Sequence, residues 1–236
     1  MSTFGFRASA AALGGMFTRP FHEPLQVQAA SNLPSVGGYG SARVENFRFH
    51  ELVSIKAGYT QVIGVEYEDE GGRERSTLAL AVVEGLNVLD MVTADRIVGR
   101  LVSETPLPAD KNDRLAVDER ELTWLPAGSY FVNLRIAGVP VNTTPHKGLT
   151  GPEGLTRDGI ERIQANRGIA RRGETLRCSM FDAEHPIKIP GFGDVFLGEY
   201  VVGRDYRKLT MLRIAMHSPA GGDLAVASLE GNGIQY

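Results

Sequence analysis

Val53-Ser54-Ile55-Lys56-Ala57-Gly58-Tyr59-Thr60-Gln61-Val62-Ile63-Gly64-Val65-Glu66-Tyr67 is the stretch whose period decides the fold class. Val53, Ile55, Ala57, Tyr59, Ile63, Val65 and Tyr67 share one parity, broken only by Gln61. The other parity carries Ser54, Lys56, Thr60 and Glu66. A period of two places alternate side chains on opposite faces of an extended chain, so this is a long strand with one buried and one wet face. Asp69-Glu70-Gly71-Gly72 follows, a run tolerant of positive φ that predicts a hairpin turn. The return strand begins near Arg75. Its run Leu78-Ala79-Leu80-Ala81-Val82-Val83 is apolar on both parities, which predicts that both of its faces are covered.

Working outward, residues 1–41 read as an N-terminal arm. Phe4, Phe6, Ala8, Ala10 and Ala12 alternate with Gly5, Arg7, Ser9 and Ala11, so the first set shares one face of an extended segment. Such an arm either folds over its own domain or is donated as a strand to a neighbouring subunit. Residues 42–236 read as one β-rich domain with an insertion at 142–185. Gly85 to Asp95 suggests two short strands and a corner, because Val92, Thr93, Ile97 and Val98 favour strand over helix. A polar connector at 103–121 leads to a strand at Tyr130–Ile136 and an edge at Val139-Pro140, since proline has no ladder N–H. A short helix is predicted at 157–167, with Thr156 as N-cap, Leu155 and Ile160 as a hydrophobic staple, and Gly168 as its stop. Strands return at Asp194–Val202, Lys208–His217 and Asp223–Leu229. The expected fold class is all-β, an antiparallel β-sandwich or irregular barrel with one short α-helix on the insertion.

Composition supports that reading and narrows the function. The chain has 42% hydrophobic and 22% charged residues, an ordinary globular balance rather than a disordered one. Its 28 glycines and 12 prolines suit many turns between strands. A net charge of −3 gives no global field to attract nucleic acid. No uninterrupted apolar run approaches the roughly 18 residues of a membrane span. Cys178 is the single cysteine, so an intramolecular disulfide is excluded. Ala8–Phe17 is only weakly apolar, and Arg19, His22 and Glu23 stand between it and the faint cleavage pattern Val27-Gln28-Ala29. A cytoplasmic protein, or one released without a classical signal peptide, is favoured over signal-peptide secretion.

Groups with chemistry are sparse. His22-Glu23 and His50-Glu51 both lack the second histidine of a zinc-protease helix. Asp182, Glu184 and His185 form the densest ligand-type cluster, a weak metal candidate because a hard cation needs more oxygens than these supply. Gly191-Phe192-Gly193-Asp194 looks like half of a phosphate loop, but a strand follows it where a nucleotide loop needs a helix, so it reads as a tight turn. The arginines of 157–177 read as a salt-bridged surface. No cofactor and no catalytic residue is expected. Trp124 and Tyr130 are the candidates for a stacking, ligand-binding face.

Two groups of motifs, taken together, carry a resemblance. The first is Val83-Glu84-Gly85-Leu86-Asn87-Val88-Leu89 leading to Val92-Thr93-Ala94-Asp95, then Leu134 to Val141. The second is Ile189-Pro190-Gly191-Phe192-Gly193-Asp194-Val195, then Leu209 to Ile214 and Asp223 to Ser228. Their order is similar to that of the bacterial choice-of-anchor surface domains of the P-type group. That resemblance implies an all-β surface or structural module without catalytic residues. No C-terminal sorting motif accompanies it, so only the fold carries over. The function expected from these observations is a non-catalytic structural protein. It self-assembles into a homo-oligomer or filament through β-edges and its N-terminal arm. A carbohydrate- or peptide-binding surface module is the first alternative, and an uncharacterised hydrolase the second.

Overall fold

The computed structural model describes residues 6–69, 72–106, 123–125, 128–145, 176–181, 186–202 and 206–232. Among them every regular element is a strand. The first six are long: β1 (Ala8–Arg19), β2 (Glu23–Asn32), β3 (Gly38–Phe49), β4 (Val53–Asp69), β5 (Gly72–Val88) and β6 (Val92–Pro106). Short ones follow: β7 (Thr123–Leu125), β8 (Tyr130–Val132), β9 (Arg135–Ile136), β10 (Val139–Pro140), β11 (Leu176–Ser179) and β12 (Ile187–Ile189). The chain closes on β13 (Gly193–Val202), β14 (Tyr206–Met216) and β15 (Gly221–Asn232).

The strands make two open antiparallel sheets. One runs β11-β13-β14-β15-β1-β2, with β12 also on β13; the other runs β10-β9-β6-β5-β4-β3, with β7 and β8 also on β6. Neither sheet closes on itself, so the all-β expectation resolves to the sandwich and not to the barrel. The helix predicted at 157–167 lies outside the described residues, as does most of the insertion 142–185. The hairpin at Gly71-Gly72 is framed as expected, with Asp69 paired to Gly72. The predicted Tyr130–Ile136 strand divides into β8 and β9 at Asn133, which takes a φ of 50°. Gly191, at φ 73°, sits in the tight turn between β12 and β13.

The segment read as an N-terminal arm holds β1, β2 and the start of β3. β1 lies between β15 and β2, and Ala8, Ala10 and Ala12 point into the core at 0–3% exposure. Phe6 packs at the core margin beneath the Arg75 guanidinium. Phe4 lies outside the described residues.

A line of irregularities crosses each sheet and sets which residues face inward. In the eight-stranded sheet the regular pairing is interrupted at Asn46, Lys56, Gly85 and Asp95, and between β4 and β5 at Ile55 and Leu86 as well. Asn46 and Gly85 take φ of 49° and 60° along this line. In the seven-stranded sheet the interrupted positions are Gly198, Met211, Ala227, Ala12 and Ala29, with φ of 57°, 50° and 48° at Gly198, Ala227 and Ala29. The register is the same on both sides of these positions, so they are not bulges, yet the side chains that follow lie on the opposite face. Aligned across neighbouring strands, these positions fold each sheet along one seam.

Candidate functional site

On β4 the seam reverses the parity expected from sequence. Val53 and Ile55 face the core, as predicted. Beyond Lys56 the inward set becomes Gly58, Thr60, Val62 and Gly64. A Cβ on Gly58 would lie 2.9 Å from the Ala12 Cβ of the opposite sheet, and one on Gly64 would strike Leu33 and Phe6. The Thr60 hydroxyl donates across the sandwich to Ala29 O at 2.9 Å. The inward partners on β5 are Ala79, Ala81 and Val83, paired with Val62, Thr60 and Gly58. All are small, because the two sheets approach closely here.

Ala57, Tyr59, Ile63, Val65 and Tyr67 therefore lie on the outer face, and the assignment of one continuous buried face to 53–67 is corrected. Register carries the apolar surface across the sheet. One row is Tyr59, Val82, Val98 and Tyr130; another is Tyr39, Ile63, Leu78 and Val102. Gln61, Leu80 and Arg100 form the row between them. Val82, Val98 and Val102 are buried at 2%, 8% and 6%, yet they do not belong to the contiguous core between the sheets. Tyr39, Val65, Tyr67 and Tyr130 at the margins are 38–60% exposed. An outer face of an antiparallel sheet is ordinarily polar; this one carries two apolar rows with Gln61 and Arg100 between them.

Charge enters this face at Arg100 in the middle row and at ion pairs along its borders. Glu84 accepts from the Arg96 guanidinium, and this bond, with a second that Arg96 donates to the Tyr130 oxygen, raises the Arg96 pKa further above its ordinary value. Arg43 pairs with Glu45 on β3. The outer face of the other sheet differs in kind. Arg213 is held by Glu199 and Asp223 and lies 3.8 Å above the Phe196 ring. Burial alone would lower its pKa, but the two carboxylates more than offset that. A shallow hollow of about 220 Å³ elsewhere on this sheet is lined mainly by small and polar groups such as Ser9, Ala11 and Ser228. A second, of about 380 Å³, lies at the β12–β13 turn around Phe192 and His217.

The remaining candidate residues are scattered. Trp124 stands in β7 opposite Ser103, and Tyr130 in β8 opposite Val98. Asp182, Glu184 and His185 lie outside the described residues. Among the described residues no three His, Cys, Asp or Glu side chains gather as a metal site, and no helix is long and apolar enough to cross a membrane. His50 pairs with Glu23 at 3.5 Å and stacks on Phe21. Cys178 is buried. Sequence reasoning missed the outer apolar face itself. Its signal was the small set Gly58, Thr60, Val62 and Gly64 opposite Ala79 and Ala81, which marks the closely packed side.

The fold and this surface define a two-sheet antiparallel β-sandwich with an apolar outer face and no assembled catalytic group among the described residues. Within that class, the chain belongs to the family described as Domain of unknown function (DUF8256), whose model matches residues 4–160. No curated protein and no solved structure matches it. The family found corrects the resemblance to the choice-of-anchor domains. The motifs behind that resemblance, such as Val92-Thr93-Ala94-Asp95 at the start of β6 and the Gly191 turn, are turn-and-strand patterns that unrelated sandwiches share.

Proposed function

We propose that this chain is a non-catalytic structural module that self-associates into homo-oligomers. The observation that carries the reading is β5. Its run Leu78–Val83 is apolar on both faces, and Ala79, Ala81 and Val83 pack against the second sheet. Leu78, Leu80 and Val82 face away from that sheet, the two leucines half-buried and Val82 buried at 2%. The exposed apolar side chains on that side are Tyr39, Val65, Tyr67 and Tyr130, and exposed apolar groups gathered on one face favour an interaction site. At one side of the sandwich β2 and β3 lie against each other, linked by Glu23 with His50 and by the approach of Gly40 to Asn32 O. At the other side Pro145 bridges Phe181, and Phe131 packs on the Phe181 ring at 5.3 Å. Both margins nonetheless keep largely exposed edge strands, β3 at the first and β10 at the second, and such edges suit contact with another copy. Assembly through Ala8, Ala10 and Ala12 is not part of the proposal, since those side chains fill the core.

Sedimentation velocity over a wide concentration range tests the reading. A weight-average mass rising with concentration supports it; a constant mass of 25.6 kDa refutes it. The second reading, a carbohydrate- or peptide-binding module, is favoured by Tyr130, which is 42% exposed beside Val98 and offers a stacking edge. A glycan array on which Tyr130→Ala loses a signal given by the unmodified chain would support this reading over self-association.

A further inference from the structure

We infer that two copies of the chain pair edge to edge along β3, antiparallel, about a two-fold axis at Val44. The inference rests on the reading of the chain as a self-associating module and names the edge and its register. Three observations carry it.

The first is which edge is open. β3 is 12 residues long and pairs with β4 on one side; on its other side no strand pairs with it among the described residues. β2 does not fill that side. It passes beneath in the other sheet, where Thr60 of β4 donates to Ala29 O. The other edges carry features that block pairing. β2 has Pro24 and a register shift against β1. β10 is 2 residues long and ends in Pro140, and β11 and β12 have only 4 and 3 residues.

The second is charge. Arg43 and Glu45 flank Val44, lie on the outer face in register with Tyr59 and Ala57, and are exposed at 69% and 54%. Val44 points the other way, its Cγ1 3.2 Å from where a Cβ on Gly58 would stand. An axis at Val44 sets Arg43 of each copy opposite Glu45 of the other, on the same face, so two ion pairs form across the contact. Opposite charges directly across a ladder stabilise it, and like charges oppose it. Moving the axis by one residue, to Arg43 or to Glu45, sets like charges face to face. The charges therefore select the Val44 register, in which the edge is complementary to itself.

The third is length. Asn46 takes a φ of 49° and interrupts the ladder with β4. The same backbone ends regular pairing with the copy, so the contact covers residues 42–46 of each chain, about 16 Å at 3.3 Å per residue. A contact this short belongs to the weak, transient class. A two-fold contact also uses up the edge that makes it, so assembly stops at the dimer and no filament grows through β3.

The test is sedimentation velocity at high protein concentration on the full chain, on Arg43→Glu, on Glu45→Arg, on the double exchange, and on an equimolar mixture of the two single variants. Both side chains are exposed, so circular dichroism stays unchanged in every variant. Each single variant sets like charges across the axis twice and is expected to dimerise about 10-fold or more weakly by itself. The double exchange restores both pairs and dimerises as the unmodified chain does. The mixture also associates, because the glutamates at 43 and 45 of one variant meet the arginines at 45 and 43 of the other. Single variants that dimerise normally overturn the β3 edge and leave self-association standing. Weakened single variants that fail to associate when mixed overturn the Val44 register. An unmodified chain that stays monomeric overturns self-association and the edge together.

Discussion

Val62 and Ile63 are adjacent, similar in size and assigned to opposite faces, so exchanging methyl groups at the two positions reads the strand's orientation directly. Val62 is fully buried in the contiguous core. Val62→Ala deletes two methyl groups at about 0.8 kcal/mol each, and the space left behind raises the total to roughly 2–3 kcal/mol. The cavity is costly because the surrounding groups are Gly, Ala and backbone, which have few rotamers with which to refill it. Ile63 is half-buried on the outer face, between Tyr39 and Leu78. Ile63→Thr keeps the β-branch and loses part of an exposed side chain, for under about 1 kcal/mol. Urea unfolding at a dilution where the protein is monomeric measures both, provided the denaturant slopes agree. A larger loss at Ile63 than at Val62 would refute the parity reversal at Lys56.

Other consequences are as direct. The Tyr200 hydroxyl is fully buried without a hydrogen-bond partner, so Tyr200→Phe should leave stability unchanged or raise it by up to about 1 kcal/mol at neutral pH; a loss above that would reveal a partner. Burial, opposed in part by Arg207, pushes the Tyr200 pKa above its ordinary value. The folded state therefore holds the phenol proton more tightly than the unfolded one. The resulting stability is present below a pH of about 10 and lost as pH rises through the folded value; unfolding midpoints from pH 8 to 12 should fall more steeply for the unmodified chain than for Tyr200→Phe. Gly85→Ala places a side chain at φ 60°, with its Cβ 2.8 Å from that of Lys56, and should cost at least about 1–2 kcal/mol in urea unfolding; a neutral effect would argue against the seam. A fragment ending at residue 160, where the family match stops, should fail to give a cooperative thermal transition, because β1 pairs with β15 and the seven-stranded sheet takes β11–β15 from beyond that point.

The strands, the sandwich and the 69–72 hairpin were legible in the sequence because each rests on a local period or a turn residue. The faces were not. Val53 to Tyr67 keeps one apolar parity throughout, yet the interruption at Lys56 moves everything after it to the other side of the sheet. The seam is a property of four strands aligned side by side, and only Gly85 marks it as a residue with free access to positive φ; Asn46 is the one further hint. The core behind β4 was equally hard to see. Close approach to Ala12 selects Gly58 and Gly64, which a hydrophobicity pattern counts as neutral. Strand β1 illustrates the opposite case. Its alternation through Ala12 was read correctly as one face of an extended segment, but nothing local distinguishes a strand that covers a domain from one that completes its sheet.

Thiol labelling of single cysteines placed in turn at positions 60 to 65, in a chain carrying Cys178→Ser, tests the orientation of β4 most directly. Fast native-state reaction at 61, 63 and 65 with protection at 60, 62 and 64 is the outcome required by an apolar face turned outward. Protection at 61, 63 and 65 with reaction at the even positions, at concentrations where the protein is monomeric, would contradict it.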